Sequence, residues 1–189
     1  VAGDKSAMSE AQKRGFDLFR SAATRCFECH TAPTFSNNTF RAIGVPEEEG
    51  VQDPGRRSVA ADAQIGSFRV PSLRNVALTA PYMHNGKFAT LAEVVDFYSK
   101  GGGRQYGMTD LDGFIQGVEL SEQEKDDLVA FLFALTDESS KPEIPATVPS
   151  GLPVVRALDN PARQTVTAVN PLPPGARPTA PRTLTVKSD

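Results

Sequence analysis

The sequence predicts a mainly α fold: one domain over residues 1–137 with long irregular loops, followed by a Pro-rich C-terminal extension over residues 138–189. Three observations carry this. Apolar residues recur at helical spacing in three places. A long stretch between the first two is rich in Gly, Pro, Asn and acidic residues. Ten of the 15 prolines fall after residue 137, in a segment with no aromatic residue.

The first helix is expected to follow Ser9, an N-cap residue, and to run to about Ala23, with Phe16 and Phe19 on one face. The second starts in the capping box Thr90-Leu91-Ala92-Glu93, carries Leu91, Val94, Val95 and Tyr98 along one stripe, and stops at Gly101-Gly102-Gly103. The third starts in Ser121-Glu122-Gln123-Glu124 and carries Leu128, Phe131, Leu132 and Leu135. Between the first two lies an irregular connection from Thr31 to Thr79, a length that is usually functional. In the extension, Pro171-Leu172-Pro173-Pro174-Gly175 favours polyproline-like backbone, while Leu152, Val154, Val155, Leu158 and Leu184 suit a strap lying across a surface.

Hydrophobic residues make up 39% and charged residues 23%, and the net charge is −3. This balance gives no reason to expect nucleic acid as a partner, because phosphates demand a concentrated basic surface. No run of about 18 apolar residues is present, so no membrane span is expected. The chain begins at Val1 without a basic or apolar leader, the start expected of a processed or truncated product.

The two cysteines stand in Cys26-Phe27-Glu28-Cys29-His30, the C-x-x-C-H pattern of covalent haem c attachment. Both thiols add to the porphyrin vinyl groups, and the adjacent His30 lies under the iron as the proximal ligand. A redox dithiol would be expected beside a βαβ pattern, which is missing. A structural zinc site needs four ligands, and the chain holds two Cys and two His in all. One covalent haem c is therefore the cofactor expected. The order of first helix, C-x-x-C-H and last helix resembles a class I cytochrome c-like haem domain.

The second face of the iron has four candidates: Tyr98, Met83, Met108 and His84. Tyr98 lies one and two turns beyond Val94 and Leu91, and is expected to point into the core; a buried tyrosine with a hydrogen-bonded hydroxyl is the alternative. Met83 is the other principal candidate. Arg69 and Arg74 suit haem propionates through charge-assisted hydrogen bonds, or are surface residues. The run Glu47-Glu48-Glu49 reads as a solvated loop.

The stretch Phe68-Arg69-Val70-Pro71-Ser72-Leu73-Arg74-Asn75-Val76-Ala77-Leu78-Thr79-Ala80-Pro81-Tyr82-Met83-His84-Asn85-Gly86, with Thr90 to Tyr98 and Gly101-Gly102 after it, closely resembles the C-terminal haem domain of the bacterial di-haem cytochrome c peroxidase and MauG family. The resemblance covers roughly residues 8–137. It implies an electron-relay haem working with a second, peroxide-binding haem domain, here on another chain or lost by cleavage. It implies Tyr98 as the distal ligand, as in MauG-like members; peroxidases have Met at that place. It puts His84 near the haem edge between the two haem domains. It implies a calcium ion partly held by the backbone carbonyls of Thr79 and Pro81, and a periplasmic location. A redox partner protein is implied too, since MauG-like members oxidise residues of one. The alternative is a mono-haem electron-transfer subunit without peroxide chemistry.

Overall fold

Each long helix begins on a hydroxyl side chain that closes a reciprocal capping box. Ser9 Oγ accepts from the Gln12 amide while Gln12 returns a bond to the Ser9 amide, opening α1 (Glu10–Phe19). Thr90 and Glu93 do the same for the helix Leu91–Ser99, and Ser121 and Glu124 for the helix Glu122–Phe133. These boxes satisfy orphan amides of the first turn and fix where each helix starts. The computed structural model describes residues 4, 6–47, 53–137, 139, 145 and 147–151. The extension expected over 138–189 thus lies almost wholly outside the described residues, as do Glu48 and Glu49.

In chain order, α1 is followed by the single turn α2 (Cys26–Cys29), strands β1 (Phe40–Ala42) and β2 (Ser67–Arg69), then α3 (Leu91–Ser99) and α4 (Glu122–Phe133), with short 3₁₀ turns between them. The architecture is helix-rich with little sheet. α1 is shorter than its periodicity implies. It ends at Phe19 because the Thr24 hydroxyl donates to the Leu18 carbonyl and the Thr24 amide donates to Ser21 Oγ, a local alternative to further helical turns. The connection from Thr31 to Thr79 is also less irregular than expected. β1 and β2 pair antiparallel, with Phe40 opposite Arg69, Arg41 opposite Phe68 and Ala42 opposite Ser67. Three-residue strands are too short to leave a readable alternation.

The core sits where α1 crosses α4. Gly15 makes this crossing possible: a Cβ there would lie 1.9 Å from the Asp127 carbonyl oxygen and 2.9 Å from Phe131 Cβ. Around the crossing, Phe131 packs on Phe16 and Phe19 with ring centroids 5.3 and 5.0 Å apart, and Phe35 closes on Phe19 and Phe131 at 6.1 and 6.0 Å. Leu91 and Val95 of α3 and Leu128, Val129 and Leu132 of α4 complete the buried cluster. On the same crossing Arg14 grips Asp127 with two hydrogen bonds of 2.7 Å. That carboxylate is 4% exposed, so the fork-shaped donor answers its need for partners.

Replacing Gly15 with Val should destabilise the fold by the upper end of about 1–3 kcal/mol, because the obstacle is backbone that cannot rotate away. Urea unfolding followed by circular dichroism measures this; an unchanged midpoint would mean that the helices cross elsewhere.

Candidate functional site

The attachment motif forms α2 and the turn after it. The helix is entered through Arg25 in the left-handed region, at φ 55°. It is closed by His30, whose amide donates to the Cys26 carbonyl at 3.0 Å. Asn37 then seals the exit: its amide donates to the Cys29 carbonyl at 2.9 Å, and its side-chain amide donates to the Glu28 carbonyl at 3.0 Å. Both thiols are free and half-buried. Burial pushes them up, most directly for Cys26, while the Arg41 guanidinium beside Cys29 pulls that thiol the other way.

His30 Nδ1 lies 2.9 Å from the Phe35 carbonyl oxygen. A carbonyl only accepts, so this contact places the ring proton on Nδ1 and leaves Nε2 with its lone pair. Burial holds the imidazole below its ordinary pKa, against the opposing pull of the Phe35 and Pro71 carbonyls. A neutral ring with an oriented free Nε2 is the form that binds a metal ion.

Tyr98 does not point into the core as its spacing implies. Its neighbour Phe97 does, at 2% exposed, while Tyr98 keeps 37% of its surface open. The phenol is nonetheless surrounded by protein. Burial first, and then the Cys26 and Cys29 thiols, push it well above the ordinary phenol range. The two cysteine thiols thus lie near enough to the Tyr98 phenol to act on it electrostatically. The structure does not bring the methionines there in the same way. Met83 sits at φ 72° in the turn after Tyr82, half-buried. The Met108 sulfur is packed in the corner made by Gly44 and Gly103.

His84 and Glu47, unrelated in the sequence reading, meet. His84 Nε2 donates to Glu47 Oε1 at 2.7 Å, and Asn85 Nδ2 donates to Glu47 Oε2 at 3.0 Å. The His84 ring lies on Phe68, centroids 3.8 Å apart and planes 13° from parallel. Glu47 is therefore not a solvated loop residue: hydrogen bonds from Asn85 and then His84 hold its carboxyl below the usual range. Arg69 donates to Asn38 Oδ1 at 2.8 Å and Arg74 to the Pro33 carbonyl at 2.6 Å, both exposed. The Thr79 hydroxyl donates to the Val76 carbonyl at 3.0 Å. Pro81 begins the turn that the Tyr82–Phe88 bridge closes. Among the described residues no group of three His, Cys, Asp or Glu side chains gathers as a metal site. A hollow of about 620 Å³ between the end of α3 and the start of α4, lined by Lys100, Glu119 and Lys125 among others, contains none of the motif residues.

No protein-family model matches the chain. Individual proteins do. The cytochrome-c peroxidase IdrP1 of Denitromonas iodatirespirans is 40% identical over 164 residues, covering 71% of this chain and 43% of that protein. The methylamine utilization protein MauG of Methylorubrum extorquens is 37% identical over 146 residues, covering 76% of this chain and 39% of that protein. The chain belongs to the cytochrome c peroxidase and MauG family. It spans about two-fifths of the length of these relatives. Among solved structures, a MauG-like protein associated with microbial copper homeostasis superposes with a TM-score of 0.63 at 36% identity, over 70% of this chain and 45% of that one. The diheme peroxidase BthA of Burkholderia thailandensis superposes with a TM-score of 0.57 at 26% identity, over 69% of this chain and 43% of that one.

The residues present fit the haem c that this family's names and the motif point to. Two free thiols precede a histidine whose ring proton is held on Nδ1, and the Tyr98 phenol lies near both thiols. Phe27, between the cysteines, and Tyr98 each leave 37% of their surface open. Among the described residues no large side chain is fully enclosed, as befits a core whose centre is filled by something other than side chains.

The Glu47 carboxyl gives a pH prediction. Its folded pKa is depressed, so its contribution is complete above the unfolded value and is lost as pH falls through the folded one. The chemical shift of the Asn85 side-chain amide should hold steady from neutrality to below the ordinary Glu value of about 4.3, and move only then. Movement complete by the ordinary value would show that Asn85 and Glu47 are not bonded in solution.

Proposed function

We propose that this chain is the haem c electron-relay domain of a di-haem peroxidase or MauG-like oxidoreductase, acting with a second haem domain. The observation that supports this reading is the Cys26–His30 turn, with the His30 ring proton held by the Phe35 carbonyl and the Tyr98 phenol near both thiols, in a chain of this family. The domain, taken as residues 1–137, is read as class I cytochrome c-like: α1 and α4 cross beside the attachment turn. Cys26 and Cys29 would hold one haem by thioether links, His30 Nε2 would take one side of the iron, and the Tyr98 oxygen the other, with Met83 as the alternative. Bound there, the haem supplies one-electron chemistry at iron.

The chain's own residues set how that chemistry runs. The Phe35 carbonyl keeps the His30 proton on Nδ1 and the ring in orientation. Tyr98 would offer the iron an anionic phenolate oxygen, a donor type that favours the ferric state. Arg69 and Arg74, both exposed, remain candidates for the propionates. The face carrying Thr79 to Gly86 is where the second haem domain would dock, with His84 at the junction. The carbonyls of Thr79 and Pro81 suit a shared calcium ion, whose remaining ligands the partner would supply. The physiological setting proposed is the periplasm, with a redox partner protein as the final substrate of the pair. No helix among the described residues is long and apolar enough to cross a membrane.

The second reading is a mono-haem electron-transfer subunit without peroxide chemistry. Peroxide separates the two. A reconstituted complex with its second haem domain should change its visible spectrum within seconds of adding hydrogen peroxide; a spectrum unchanged by peroxide supports the carrier.

The haem itself should survive acidified acetone and give one pyridine haemochrome per chain, and the double substitution Cys26→Ala with Cys29→Ala should abolish this. Pigment released from the unaltered chain would end the proposal. Tyr98→Met should raise the midpoint potential by more than about 0.1 V, within the ~0.8 V that axial ligands span. Potentiometric titration measures this, and an unchanged potential would remove Tyr98 from the iron.

A further inference from the structure

Glu47 stands outside the 68–86 motif, yet two other segments act on its carboxylate. His84 Nε2 donates at 2.7 Å and Asn85 Nδ2 at 3.0 Å, both from the tip of the turn that runs from Tyr82 to Phe88. The Asp53 backbone amide, beyond residues 48–52, also favours the charged form of the carboxyl. Asn85 also donates to the Pro46 carbonyl at 3.2 Å, so 46–47 and 84–85 are joined twice. An exposed ion pair of this kind would contribute little and hold nothing in place. Here both side chains are only 18% exposed, and the imidazole is pinned in a second way, flat on Phe68 of β2 at 3.8 Å.

The chemistry of the pair then follows. A carboxylate only accepts, so the neutral His84 ring carries its proton on Nε2 and its lone pair on Nδ1. Among the described residues Nδ1 has no protein partner. Carboxylate fixes the tautomer and the stacked ring fixes the plane, leaving one acceptor atom in a set direction. We propose that Glu47 is a positioning residue. It acts through His84, holding it as the Nε2–H tautomer so that Nδ1 is a preformed hydrogen-bond acceptor on the Tyr82–Gly86 turn. This deepens the reading above, on which it rests for its partner: a donor group on the docked second haem domain.

The chain has two histidines, which makes the test direct. In the haem-loaded ferric chain carrying ¹⁵N-histidine, the ring on iron is shifted out of the ordinary window, and the remaining ring is His84. In alkaline buffer the unaltered chain should show a protonated, pyrrole-like Nε2 and a pyridine-like Nδ1. Glu47→Ala should collapse the two into an averaged pair, with the Soret band unchanged. Glu47→Asp, which keeps the carboxylate, should restore most of the separation. A proton on Nδ1 in the unaltered chain, or an Ala variant with the unaltered pattern, would overturn the proposal. If the Ala variant does not fold, the unaltered pattern and the Asp variant still decide it. Failure of the haem reading would show separately, as an absent haemochrome in the same sample.

Discussion

The crossing of α1 over α4 at Gly15 is the constraint from which the site is hung. Because no side chain intervenes there, the helices approach closely enough for the Phe19 and Phe131 rings to pack in a tilted pair, centroids 5.0 Å apart. Phe35 closes on that pair with its ring, and its backbone carbonyl, 2.9 Å away, orients His30. One residue thus belongs at once to the aromatic core and to the ligand's hydrogen-bond shell. Its φ of 54° lies in the left-handed region, unfavourable for a bulky residue, and the packing of its ring is what over-determines it. The orientation of the His30 imidazole is therefore inherited from helix packing some distance away.

The same logic explains why α2 is a single turn. Four residues cannot hold themselves helical in water. This turn is defined by what surrounds it: α1 ending at Phe19 through the Thr24 bond, and Asn37 closing the carbonyls of Glu28 and Cys29. The turn that carries both cysteines is thus shaped by the chain itself.

The parts of the fold legible in the sequence were those governed by local rules. Capping boxes at Thr90 and Ser121, and the cap at Ser9, located three helices to within a residue at their starts, because the bonds that cap them span three positions. The attachment motif was legible for the same reason. Illegible were features made by distant segments. The end of α1 depended on Thr24 reaching back to Leu18. β1 and β2 are three residues each and pair across 27 or so positions. Tyr98 and Phe97 exchanged roles because a helical stripe at i, i+3, i+4, i+7 tells which residues share a face, not which neighbour of the stripe meets the core and which the cysteine thiols. Glu47 read as one of three consecutive acids, and nothing local sets it apart; its partners lie 37 and 38 positions away.

Tyr98 and the Tyr82–Gly86 turn do not lie in independent regions. After α3 the chain turns at Gly101 and runs back along the exit of β1, where the Gly103 amide donates to the Ile43 carbonyl at 2.9 Å. Side chains at Gly44 and Gly103 would collide with each other's backbone at 2.8 and 2.7 Å, so both positions require glycine for this approach. Three residues beyond Gly44 is Glu47, which grips the turn; a few residues before Gly103 is Tyr98, which faces the cysteines. A rigid backbone seam of two glycines therefore connects the helix that carries the proposed distal ligand to the carboxylate that sets His84.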